Sequence, residues 1–235
     1  MKSRFILSAL CMTMVVSLSA QTTTRILKEA KELKDGGNYL EAARKYSEAR
    51  TANSAGKQLL DVLAPEAECY YMLDDYQQLD STIVNYIKCF RASREELGDS
   101  LDVYKAYLFK MLGNAFYAEV DESSNGMKYA EKASTYYINS LKVFGSRGSD
   151  DNVYVLLKEL AQLFYKVKAY SYAYEYLEEV KFRYQDRLDN GISDEEPDFY
   201  NTLSQMALCK AKMASVEKND NFSRELFEQS ISQLV

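Results

Sequence analysis

Between Leu157 and Val180 the chain reads LKELAQLFYKVKAYSYAYEYLEEV, and its apolar positions fall into two runs. Leu157, Leu160, Ala161 and Phe164 stand at i, i+3, i+4 and i+7, one face of a helix. Ala173, Tyr176, Leu177 and Val180 repeat that spacing after a break at Lys168–Ala169. The alternation of Tyr170, Tyr172, Tyr174 and Tyr176 would also suit one face of a β-strand. A strand explains only the tyrosine stretch, whereas two helices explain every apolar position from Leu157 onward. The pattern predicts helix, turn, helix.

The same grammar recurs along the chain. Ala30 precedes Ala42 by the interval that separates Ala161 from Ala173, with Gly36-Gly37-Asn38 as the turn and Tyr39 opening the second helix. Phe109, Leu112, Gly113 and Phe116 form another first helix, whose partner carries Ala133 and Tyr137 after an extended turn around Asp121–Gly126. Ala67 and Leu79 keep the interval in a weaker unit over about 57–92, where Pro65 should start or kink the first helix. Ala211 and Ser223 keep it again, with Phe227 following. The pattern resembles the tetratricopeptide repeat, a helical hairpin of about 34 residues with small residues where its two helices cross. The resemblance covers residues 23–235, although no unit has that repeat's Trp or its closing Pro. It implies an all-α fold, an α-solenoid of about five hairpins wound as a right-handed superhelix, with a concave groove lined by the first helices.

Composition supports helices: two prolines and nine glycines in 235 residues leave few breakers for a turn-rich β fold. The N-terminus reads differently from the rest. Lys2 and Arg4 precede the apolar run from Phe5 to Val16, and Ser17-Leu18-Ser19-Ala20 follows, the form of a secretory signal peptide. The expected organisation is a signal over residues 1–20 and a repeat domain over 21–235. Cleavage after Ala20, or after Ser19, would leave a chain without a membrane span, exported to the periplasm, the cell envelope or the medium. Cys11 lies inside the apolar run and leaves with it.

The net charge is −6, and losing Lys2 and Arg4 makes the chain more acidic still. Such a chain lacks the basic footprint of a nucleic-acid binder. With no His, the Ser-His, Cys-His and His-zinc sites are excluded. Cys69, Cys89 and Cys209 are too few and too widely spaced for a disulfide framework, although a single Cys69–Cys89 bridge stays open. Asp74-Asp75 and Glu195-Glu196 fall in predicted loops, where solvated turn carboxylates are the simpler reading. Asp121, Ser123, Asn125 and Gly126 begin like a calcium loop, but its twelfth position holds Lys132 rather than a bidentate Glu. No catalytic residue, metal site or cofactor is expected.

One constellation stands out. Lys110, Asn114 and Tyr117 lie at i, i+4 and i+7, and Lys158, Gln162 and Tyr165 repeat them one unit later with Lys166 alongside. The resemblance implies that Tyr117 and Tyr165 face the concave groove. It also likens the Lys110–Asn114 spacing to part of a carboxylate clamp. Glu159 stands where that clamp has an Asn, and Asn201 and Gln205 stand where it has basic residues. The expected function is a non-catalytic scaffold that binds a protein or peptide segment in its groove. The alternatives are a sensory or regulatory segment of a larger protease or signalling system, and an assembly factor of a cell-envelope complex.

Overall fold

The computed structural model describes residues 22–52, 56–121, 123–148, 150–191 and 196–216, and every regular element among them is helical. The expected signal at 1–20, and Glu195, Ser223 and Phe227, lie outside the described residues. No described helix is long and apolar enough to cross a membrane. The chain divides into two compact units, with the boundary between Met111 and Leu112.

The first unit opens with α1 (22–35) and α2 (Tyr39–Ala52). Gly37 at a φ of 77° makes the turn between them, a conformation that costs glycine little. Ala30, Ala42 and Tyr46 share one buried cluster, so the two small residues stand at the crossing as the spacing predicts. Next come α3 (Gly56–Met72) and α4 (Tyr76–Ala92). Cys89, near the end of α4, donates its Sγ–H to the Gly56 carbonyl at the start of α3, so this hairpin is antiparallel. Asp75 caps α4 by accepting from the Gln78 amide at 3.1 Å.

Pro65 does not start α3: the helix begins at Gly56 and continues through the proline to Met72. A mid-helix proline forfeits one backbone bond. Burial of Leu60, Val62, Leu63, Ala67 and Cys69 along α3 outweighs that loss. A short connection that the apolar pattern does not announce follows: α5 (Arg94–Leu97), then a 3-10 turn (Gly98–Ser100). Buried Leu97 anchors it. The unit closes on the start of α6 (Leu101–Ala118), where Tyr86 Oη donates to the Tyr104 carbonyl at 2.8 Å.

The second unit contains the rest of α6, then α7 (Ser124–Ser146), α8 (Asp150–Lys166), α9 (Tyr170–Asp189) and α10 (Glu196–Val216). Helix α7 starts earlier than the extended turn suggests. Ser123 Oγ accepts from the Gly126 amide at 3.2 Å, so Asn125 and Gly126 belong to the first turn of the helix. Asp121 accepts from the Ser123 amide at 3.0 Å, an Asx turn rather than a calcium loop. Helices α8 and α9 are the two that the opening stretch predicts, joined through Lys168 at a φ of 64°. Arg183 and Arg187 late in α9 reach Asp150 and Asp151 at the start of α8, each at 3.7 Å. Ala161 and Ala173 share a buried cluster with Leu177, Met206 and Cys209.

Two hairpins of this unit repeat in detail. Phe116 stacks on Tyr136 at 5.6 Å and 3°, and Phe164 stacks on Tyr176 at 5.7 Å and 3°. Tyr136 and Tyr176 each follow the small residue of their second helix, Ala133 and Ala173, by three positions. The sequence repeat is therefore a structural one here. Cys69, Cys89 and Cys209 are all free, buried thiols, and the open Cys69–Cys89 bridge is not formed.

Candidate partner-binding cleft

The lysines and amides singled out along the chain meet different fates. Lys110 is only 7% exposed, and its ammonium group donates to Glu68 Oε1 at 2.7 Å. Lys34 of α1 donates to Glu68 Oε2 at 2.9 Å, so one carboxylate holds two lysines. Burial alone would raise the Glu68 pKa; Lys110 and Lys34 overcome it and hold the group at about 2. Asn114 is buried and accepts from Tyr137 Oη at 3.0 Å. That bond fixes the Tyr137 ring against Gly113, where a Cβ would come within 2.5 Å of it. Lys110 and Asn114 thus act inside the first and second units respectively. The resemblance to half of a carboxylate clamp does not survive as an open ligand site: the carboxylate on Lys110 is the protein's own.

Lys158 is also engaged. Its ammonium donates to Tyr184 Oη at 3.2 Å, and that hydroxyl donates to Asp198 Oδ2 at 3.3 Å, tying α8 to α9 and α10.

Tyr117, Gln162, Tyr165 and Lys166 do come together. They line a cleft of about 500 Å³ in the second unit, with Ala161, Leu177, Gln205, Leu208 and Cys209. Helices α6, α8 and α10 each contribute an amide or aromatic side chain to it. Ala161, Leu177 and Cys209 are buried and form an apolar floor. Leu208, 47% exposed, stands at the rim. Lys166 places its ammonium 4.7 Å from the centre of the Tyr117 ring, a cation–π contact at the mouth. Tyr165 meets Tyr170 edge-on at 5.3 Å, which fixes its ring from the α9 side.

The electrostatics are simple. Burial, and then the negative charge of Glu159, push the Tyr117 pKa up. Burial raises that of Tyr165 and takes Cys209 to about 11. The phenols and the thiol are neutral at physiological pH, so the cleft offers apolar area, two amides and one cation. Among its described lining residues Lys166 alone carries charge. Nothing in that set is a nucleophile poised by a base. Among the described residues no group of His, Cys, Asp and Glu could hold a metal ion.

Gln205 and Leu208 complete a pattern that the spacing of small residues hides. Asn114 and Tyr117, Gln162 and Tyr165, and Gln205 and Leu208 are each an amide followed three positions later by a large apolar residue. That signal would have brought α10 into the site. A separate cleft of about 600 Å³ in the first unit mixes Arg50 and Lys88 with Glu96 and contains none of the expected residues.

No family model matches the chain, and no curated protein matches it.

Proposed function

We propose that this chain is a non-catalytic tetratricopeptide-like scaffold, exported through its N-terminal signal, that holds a linear segment of a protein partner in the cleft lined by α6, α8 and α10. The observation that carries the reading is the convergence of Tyr117, Gln162, Tyr165 and Lys166 on one cleft of about 500 Å³. Sites of this size with an apolar floor and a few placed polar groups are typical ligand-binding hollows. The two glutamine amides suit a peptide backbone, since each can donate and accept. Tyr117 and Tyr165 give broad contact area at low entropy cost, because each has few rotatable bonds. Leu208 contributes exposed apolar surface at the rim, where a partner side chain gains most by covering it.

The reading assigns the engaged residues a supporting role. Lys110, Asn114 and Lys158 hold the first helices in place, and the contact residues are those that keep their polar ends in the cleft. The test is affinity capture from the native envelope fraction with the wild-type chain and with Leu208→Arg. A partner retained by the wild type and lost by the variant, at an unchanged melting midpoint, supports the cleft. Equal retention by both removes it.

A further inference from the structure

Lys166 stands at the mouth of the cleft on the Tyr117 ring, and among the described lining residues it is the one charged group. Gln162 and Tyr165 line the same helix beside it. A ligand lying along about 10 Å of α8 therefore meets one positive group next to an apolar floor of Ala161, Leu177 and Cys209. An extended peptide covers the same 10 Å in about three residues.

On the reading that this cleft holds a peptide, we infer that it selects a segment with one bulky apolar side chain and a single acidic side chain beside it. The apolar side chain lies on the floor between Tyr117 and Leu208, and the acid meets the Lys166 ammonium. Lys166 is exposed, and among the described residues its ammonium faces an aromatic ring rather than a carboxylate. A ligand acid would add an ion pair there without displacing one. That single cation also sets the limit: among the described lining residues a second acid on the ligand finds no other positive group. The preferred segment has one acidic side chain, not a run of them.

The experiment is selection from a phage-displayed library of random dodecapeptides on the full chain, repeated on Lys166→Glu and Leu208→Arg. The expected result is a wild-type consensus that pairs a large apolar residue with one neighbouring Asp or Glu. Lys166→Glu should replace that acid with Lys or Arg, and Leu208→Arg should abolish selection of the set. Changing the acid of a selected peptide to its amide should weaken binding by up to about fivefold, the upper end for an exposed ion pair. A Leu208-dependent consensus with no acid, or one that Lys166→Glu leaves unchanged, overturns the selectivity and leaves the peptide cleft standing. Failure to select any Leu208-dependent peptide overturns both.

Discussion

Lys110 Nζ lies 2.7 Å from Glu68 Oε1, and the other oxygen of that carboxylate is 2.9 Å from Lys34 Nζ. One acidic side chain on α3 therefore joins α1 and α6, the first helices on either side of it. The folded pKa of Glu68, about 2, lies below its ordinary value of 4.5. A depressed carboxylate stabilises the fold fully above the ordinary value, and the contribution is lost as pH falls toward the folded one. Glu68→Gln should cost about 2 kcal/mol at pH 7, less than a fully dry pair would, because the site is partly open to water. Urea unfolding of both proteins from pH 7 down to pH 2 checks this. The gap should be nearly constant to about pH 4.5 and close below it; a gap independent of pH would contradict the pairing.

The ring of Tyr137 covers the α-carbon of Gly113, and that contact makes a second, opposite pair of outcomes. Alanine is the better helix former by about 1 kcal/mol. At position 113 its methyl would come within 2.5 Å of two Tyr137 ring carbons, so overpacking prevails. Gly113→Ala should destabilise by about 1–2 kcal/mol net. Gly145 sits in α7 with nothing among the described residues within 4 Å of a Cβ, and Gly145→Ala should stabilise by up to about 1 kcal/mol. A Gly113→Ala midpoint that rises along with that of Gly145→Ala would refute the account of position 113.

Ala173 is fully buried where α8 and α9 cross, in one cluster with Ala161 and Leu177. Ala173→Leu adds three carbons at a close approach and should cost about 1–3 kcal/mol. Thermal unfolding followed by circular dichroism reads it, and an unchanged midpoint would mean that the helices do not cross there.

Glu66 behaves in the opposite sense to its neighbour Glu68. It is fully buried, its Oε2 has no hydrogen-bond partner among the described residues, and Arg50 stands 3.5 Å from its Oε1. Burial raises its pKa, against the pull of Arg50 and Tyr70. A raised carboxyl contributes stability below its ordinary value that is lost as pH rises through the folded one. Glu66→Gln should therefore raise the melting midpoint at pH 7 and leave it nearly unchanged at pH 4. A variant less stable than wild type at pH 7 would show that the Arg50 pair outweighs the burial.

What the sequence discloses follows the range of the interactions. The turns at Gly36–Asn38 and Lys168–Ala169 depend on neighbours, and the helices they join appear at those positions. Helical spacing puts Gln162, Tyr165 and Lys166 near one side of α8, and the inner face given to Tyr117 and Tyr165 is what the resemblance implies; the four line one cleft. The roles of Lys110 and Asn114 do not, because their partners Glu68 and Tyr137 lie 42 and 23 residues away. Periodicity places a polar residue on a face without saying which distant side chain is waiting for it. The run of Pro65 inside α3 was hidden for a related reason, since burial along the helix overrides a local breaker. Gln205 falls where the clamp has a basic residue, so its amide does not mark α10 as part of the site, and the interval between Ala211 and Ser223 gives no place to Leu208.

The central claim is that a partner segment lies against α8, and site-specific photo-crosslinking reads that contact most directly. Gln162 is exposed on the cleft, and Glu178 is exposed on α9 outside it. Each is replaced singly by p-benzoylphenylalanine in the full chain, which is then irradiated in the native cell envelope. The account predicts one defined adduct from position 162, none from 178, and loss of the 162 adduct when Leu208→Arg is added. An adduct formed from 178 and not from 162, or a 162 adduct that survives Leu208→Arg, would contradict it.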